Sequence, residues 1–185
     1  HMNRPFEQID REIQEILKSS IRVIPDFPVQ GILYKDITPL LKNSETLEIT
    51  QRLLSRPLRG LHVDYVVGLE SRGFLFGTNL AQDLHAGFIP VRKPDKLPSD
   101  KIRQSYELEY GKDSVEMHSD AIEKGAKVVI HDDLIATGGS ARAATALVKK
   151  LGGTIVGYSF LIELEQLKGA ATLEPGVPVH SLIRF

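Results

Sequence analysis

The residues best equipped for chemistry stand together at 132–140, where Asp132 and Asp133 are followed by Leu134, Ile135 and then Ala136-Thr137-Gly138-Gly139-Ser140. Glycines at 138 and 139 let a backbone adopt positive φ and come close to a ligand. Thr137 and Ser140 add hydroxyl donors. A helix that starts here would present N–H groups and the positive end of its dipole to an anion. Two carboxylates would repel that anion if they faced it. As pure acceptors they suit the adjacent hydroxyls of a ribose instead. The stretch therefore fits a ribose phosphate. It lacks the Lys of a Walker loop and the glycine spacing of a dinucleotide fingerprint.

The elements that must hold these residues can be read on either side. Val128-Val129-Ile130 is a β-branched run of the kind buried on both faces of a sheet. Ala144, Leu147, Val148 and Leu151 then recur at helical spacing, and Gly152-Gly153 stops them. The order strand, acidic pair, loop, helix places the pair at the carboxyl end of a strand, where open α/β sheets bind ligands. A second strand–turn–helix reads the same way: DYVVGL at 64–69, Glu70-Ser71-Arg72-Gly73, then Phe76, Leu80 and Leu84. Further strands are expected at 87–92, 154–162 and 179–185. A hairpin is expected from 105–111 and its partner around Val115, Met117 and His118.

Nearer the N-terminus, Phe6, Ile9, Ile13, Ile16 and Leu17 mark an amphipathic helix, whose default use is packing on the sheet. Leu47, Leu53, Leu54 and Leu58 mark a helix from Ser44, with Ser44 as its candidate N-cap. Between them Pro25, Pro28 and Gly31 impose a structured loop. Phe27 inside that loop is either a core plug or a platform for a ligand. Arg92, Lys93, Lys96, Lys101 and Arg103 cluster with Pro94 and Pro98 in a segment too polar to pack. It is either a solvated loop or a mobile lid whose cations repel one another until a polyanion arrives. Glu107 and Glu109 lie on one strand face by alternation.

Composition sets the outer limits. The 185 residues are 42% hydrophobic and 25% charged, enough for one domain with a real core. A net charge of -1 argues against a broad nucleic-acid-binding face. No apolar run reaches membrane-spanning length. Zero cysteines exclude disulfides and thiolate metal sites, and the six histidines, His1 included, lack metal-ligand spacing. The N-terminus shows no signal-peptide pattern, so a cytoplasmic protein is expected, and His1-Met2 reads as a remnant of cloning.

Two acidic residues followed by Leu-Ile-Ala-Thr-Gly-Gly-Ser resemble the phosphoribosyl pyrophosphate signature of type I phosphoribosyltransferases, in the form found among adenine-specific members. Three more segments agree: Phe27-Pro28 before Gly31 and Lys35-Asp36-Ile37, Ser71-Arg72-Gly73-Phe74, and Arg92-Lys93 with Lys96 before Leu97-Pro98. The resemblance runs from about Pro25 to Leu182. It implies an α/β domain over 3–185 with a central, mostly parallel sheet flanked by helices. A hood and base-binding segment would occupy 3–35 and a flexible lid 93–112. The implied reaction joins adenine to phosphoribosyl pyrophosphate, giving AMP and pyrophosphate, with Mg²⁺ held mainly by substrate oxygens and no direct protein metal site.

The resemblance also assigns roles. Ala136, Thr137, Gly138, Gly139 and Ser140 would take the ribose phosphate, and Asp132 and Asp133 the ribose hydroxyls. Ser71, Arg72, Arg92, Lys93 and Lys96 would meet pyrophosphate, partly across a homodimer interface. Phe27, Leu33, Lys35, Arg72 and Leu134 would form the base pocket. Glu109, followed by the lid residue Tyr110, would supply or share the purine proton, with Glu107 as rival. One departure stands out: where the family has Arg after Gly169, this chain has Ala170. Two other readings remain, a phosphoribosyltransferase for another purine and a non-catalytic nucleotide-sensing regulator of the same fold.

Overall fold

Buried β-branched runs and amphipathic helices alternate through most of the chain, and the computed structural model shows how they pair. It describes residues 4–108 and 110–185, with the side chains of 4–9 left aside. His1, Met2 and Glu109 thus lie outside the described residues, as do the side chains of Phe6 and Ile9. The chain forms two compact units, His1–Leu53 and Leu54–Phe185.

The first unit holds α1 (Arg4–Ser19), an antiparallel pair of β1 (Arg22–Pro25) and β2 (Leu33–Asp36), α2 (Thr38–Lys42) and most of α3 (Ser44–Ser55). Leu17, Ile21, Ile37 and Leu40 are its buried apolar residues. The Pro25–Gly31 loop is thus the turn of a hairpin, which the prolines had hidden. Asp26 stabilises it by accepting the Gly31 N–H at 2.7 Å. The cap of α3 differs from expectation. Asn43, not Ser44, accepts the N–H groups of Glu45 and Thr46, at 2.9 and 3.1 Å, because its amide oxygen sits one residue before the helix.

The second unit is built on five parallel strands in the order β4-β3-β7-β8-β9. These are β3 (Tyr65–Leu69), β4 (Gly87–Val91), β7 (Lys127–Ile135), β8 (Thr154–Glu163) and β9 (Val179–Arg184). Two helices, α4 (Gly73–Asp83) and α5 (Gly139–Lys150), follow β3 and β7. Period-two alternation splits the sheet between them. Val67, Val128 and Ile130 pack with Ala144, Leu147 and Val148 of α5, whereas Val66 and Val129 pack with Leu80, Ala81 and Leu84 of α4. Burial on both faces explains the apolar runs. Asp132 and Asp133 do not follow β7 but belong to it, with Asp132 registered on Phe160 of β8. A strand holds carboxylates in fixed, alternating directions better than a loop does.

β5 (Lys101–Glu107) and β6 (Lys112–His118) form an antiparallel hairpin that starts before the expected Ser105. The cationic segment is not simply too polar to pack. Leu97, Val115 and Met117 are buried, and Ile102 and Tyr106 lean on the α5 side of the core. Alternation lets one face of the hairpin carry charge and the other apolar atoms. Among the described residues no helix is long and apolar enough to cross a membrane.

Candidate active site

The carboxyl end of β7 opens into a cleft of about 590 Å³ lined by residues 132–142, by Arg72 and by Tyr106–Leu108. Gly138 caps α5 with φ 88°, a conformation that costs an L-residue strain. The first turn of α5 has no preceding carbonyls for its N–H groups, which leaves donors for an anion. A Cβ on Gly138 would not face open space. It would meet Thr172 Oγ1 at 2.7 Å, Arg142 Nη1 at 2.9 Å and the Gly169 carbonyl at 2.9 Å. Gly138 is therefore required by its φ and by what lies behind the loop.

The two carboxylates are not equivalent. Asp133 is buried and accepts from Arg72 Nε at 2.6 Å. Asp132 accepts the N–H of Asp133 at 2.8 Å. Burial, then the charge of Asp133, pushes the Asp132 carboxyl well above the usual carboxylate range. Gly73, first residue of α4, has no side chain because a Cβ would lie 3.0 Å from Asp132 Oδ1. Two residues before Asp133 on the same strand face sits His131, fully buried, with Nδ1 3.3 Å from Ser159 Oγ and Nε2 unpartnered. Burial lowers its pKa to about 4 against the opposing pull of Asp133 and Ser159, so the imidazole is neutral at pH 7.

Arg92, Lys93 and Lys96 do not line this cleft, and neither does Ser71. They form a separate web. Glu70 accepts Lys96 Nζ at 3.2 Å and the Lys93 N–H, and pairs with Arg92 Nε at 3.4 Å. Lys93 Nζ donates to Asp113 and, at 2.8 Å, to Tyr106 Oη. Arg103 pairs with buried Glu116 at 3.1 Å. The expectation that these cations repel one another without a polyanion is not met, because carboxylates distant in sequence neutralise them. The Glu70–Ser71 peptide beside this web is cis.

Of the residues expected in the base pocket, Arg72 and Leu134 line the cleft. Phe27, Leu33 and Lys35 lie in the β1–β2 hairpin of the first unit. Phe27 is half exposed, edge-on to Tyr34 at 5.1 Å, so it is no core plug. Leu33 is also exposed, and burial followed by Lys18 lowers the pKa of Lys35. Glu107 lines the cleft and pairs with Lys112 at 3.5 Å, Tyr110 is exposed, and Glu109 is outside the described residues.

Sequence reasoning missed Tyr106, whose ring lies 3.1 Å from where a Gly139 Cβ would stand. It also missed Arg142, which reads as an ordinary surface residue of a helix. Apolar alternation in β5 could have found Tyr106, and nothing local marks Arg142. Among the described residues no three His, Asp or Glu side chains converge on a metal ion. Asp132 and Asp133 supply carboxylate oxygens at the cleft. A hard cation such as Mg²⁺ fits beside them if a ligand provides its other oxygens.

A phosphoribosyl transferase domain profile matches residues 37–176. An adenine phosphoribosyltransferase of Flavobacterium johnsoniae is 60% identical over 91% of this chain and 99% of its own length. The chain belongs to the adenine phosphoribosyltransferase family. Its fold agrees. The crystal structure of the Rhodothermus marinus adenine phosphoribosyltransferase superposes with a TM-score of 0.90 at 50% identity, covering 95% of this chain and 99% of the other. The Saccharomyces cerevisiae enzyme, solved with an imino-altritol bisphosphate and adenine, gives 0.85 at 43% identity over 94% and 99%.

Proposed function

We propose that this family member transfers the phosphoribosyl group of phosphoribosyl pyrophosphate to adenine, in purine salvage. The observation that carries the reading is the pairing, at one strand end, of two carboxylates with a glycine-capped helix start. The bond from ribose C1 to pyrophosphate breaks, a bond from C1 to a purine nitrogen forms, and that nitrogen loses its proton. Positive charge develops on the ribose as pyrophosphate leaves.

Each region has a part in this reading. Residues 136–140 bind the 5′-phosphate through backbone N–H groups. Asp132 and Asp133 hold the ribose hydroxyls and favour the cationic ring. Arg72 and Leu134, which line the cleft, bind the base. Glu109 handles the purine proton. Ser71, Arg92, Lys93 and Lys96 receive pyrophosphate, and Mg²⁺, held mostly by substrate oxygens, would offset its charge. The reading includes a homodimer in which these cations serve the partner's cleft. Residues 93–112, Tyr110 included, act as a lid that excludes water. The setting is the cytoplasm, a reducing compartment that a cysteine-free chain fits.

The experiment is an assay of purine bases with phosphoribosyl pyrophosphate and Mg²⁺, following pyrophosphate release. Adenine should turn over at least about tenfold faster than hypoxanthine or guanine, since an oxo group replaces a donor the pocket is built to meet. Equal or faster turnover of an oxopurine overturns the base assignment.

A further inference from the structure

We propose that Arg142, braced by Thr172, is a positioning residue for the 5′-phosphate loop: it clasps the Thr137 carbonyl and so fixes the direction of the loop's N–H groups. The proposal rests on the reading that residues 136–140 bind that phosphate. Arg142 Nη1 donates to the Thr137 carbonyl at 2.9 Å and to Thr172 Oγ1 at 2.5 Å. Thr172 Oγ1 in turn donates to the Gly169 carbonyl at 2.6 Å. The chain of bonds thus runs from the loop, through a guanidinium of α5, to the turn at Gly169–Thr172 after β8.

Packing makes the turn a rigid support. A Cβ on Gly169 would collide with the Ala136 carbonyl and lie 2.9 Å from Gly138 N, so this turn is pressed against the peptides of the loop. The same atoms fill the space beside Gly138. The turn is the one where the family pattern has arginine and this chain has Ala170. The guanidinium that reaches this turn belongs to Arg142 of α5.

Peptide geometry carries the consequence to the ligand. The Thr137 carbonyl and the Gly138 N–H share one rigid plane and point in opposite directions. A donor fixed on the carbonyl therefore aims the N–H away from itself. Without the clasp that peptide can turn, and the loop must be ordered each time a phosphate binds, at a cost in affinity. Such an effect acts on phosphate-bearing ligands, whichever base is present.

Calorimetry with AMP and with ribose 5-phosphate, alongside steady-state kinetics of the full chain, tests this. Arg142→Ala should weaken both ligands by one common factor, about tenfold, as for a lost hydrogen bond to a charged group. KM for phosphoribosyl pyrophosphate should rise by a similar factor while KM for adenine holds. Arg142→Lys should recover part of the loss. Thr172→Val should cost less, about threefold, because Arg142 keeps its bond to the Thr137 carbonyl and loses only its brace, and Arg142→Ala with Thr172→Val no more than Arg142→Ala alone. Wild-type affinity in Arg142→Ala overturns the proposal. So does a full loss in Arg142→Ala beside an unaffected Thr172→Val, because the guanidinium would then act on the phosphate directly. Additive losses, or an equal rise in KM for adenine, overturn it as well. Failure of the unaltered protein to bind AMP would overturn the phosphate-loop reading itself, and the clasp with it.

Discussion

Asp132, Asp133 and the loop that follows them all fall within residues 132–142, whereas Glu70 gathers its partners from Arg92, Lys93 and Lys96, as far as 26 residues on. The first region is held by backbone: a strand, a left-handed glycine and a helix start. The second rests mainly on side-chain charge, cations answered by carboxylates distant in sequence, with the Lys93 N–H as one backbone donor to Glu70. A site built on backbone survives changes of salt and pH that a site built on exposed ion pairs does not. Breaking each region separately should show that difference.

The hairpin supplies both regions, so the carboxylates at 107 and 109 sharpen the comparison most. Glu109→Gln should lower kcat roughly a hundredfold or more with little change in KM, as for loss of a group that exchanges a proton with the purine. Glu107→Gln, whose carboxylate is exposed and paired with Lys112, should do little. Steady-state kinetics check both, and a fully active Glu109→Gln breaks the assignment.

Gly138→Val breaks the backbone-built region. The residue must hold φ 88° and would press on Thr172, Arg142 and Gly169. Two phosphate-bound N–H groups lost at about 1.5 kcal/mol each come to roughly a hundredfold in AMP affinity. Calorimetry reads this directly, and unchanged affinity would refute the loop's role. The ion pairs around Glu70 should be untouched.

The pH dependence of stability separates the regions again. His131 lies beneath the acidic pair with a pKa lowered to about 4 by burial. A group with a depressed basic pKa refuses in the native state a proton that the unfolded chain accepts. The His131 contribution to stability should therefore fall as pH drops below the ordinary histidine value, by about 1.6 kcal/mol between pH 6.5 and 5, while the raised Asp132 carboxyl contributes with the opposite sign. Burial lowers the pKa of His180 too, which adds a smaller change of the same sign as that of His131. Urea unfolding of wild type and His131→Leu at both pH values is the check. An equal slope in the variant would remove His131 as the cause.

These two regions also mark what the sequence could tell. Periodicity revealed the sheet because burial on both faces forces continuous apolar runs such as Val128-Val129-Ile130. The phosphate loop was legible because its chemistry needs particular residues at fixed spacing. The clasp at Arg142 and Thr172 was not, since its partners are 30 residues apart and join only when β8 returns beside β7. The cations at 92–103 were legible as charge, but not the carboxylates opposite them, because Glu70, Asp113 and Glu116 read as solvated residues until the strands pair. The β1–β2 hairpin was masked by prolines placed at its turn, where they do not interrupt the pairing.

The smallest effect tests the charge-built region. The Glu70 side chain is only 10% exposed and holds Arg92 and Lys96, which are 35% and 49% exposed. Burial raises its pKa, but the Lys93 N–H, then Lys96 and Arg92, outweigh burial and hold the carboxyl below its usual range. Glu70→Gln keeps the shape and removes the charge. Partly exposed partners are screened, so the expected loss is about 1 kcal/mol at neutral pH and low salt. A depressed carboxyl pKa stabilises above the unfolded value and loses that contribution as pH falls through the folded one. The gap between wild type and Glu70→Gln should therefore close below about pH 4.3, the ordinary glutamate value, and shrink in about 1 M salt. AMP affinity should stay within about twofold, because the backbone loop makes no use of the pair. Paired denaturation curves at two salt concentrations, with AMP titrations, decide it. A salt-independent gap, or a large loss of AMP binding, would mean that the two regions are coupled and that Glu70 reaches the cleft through Arg72.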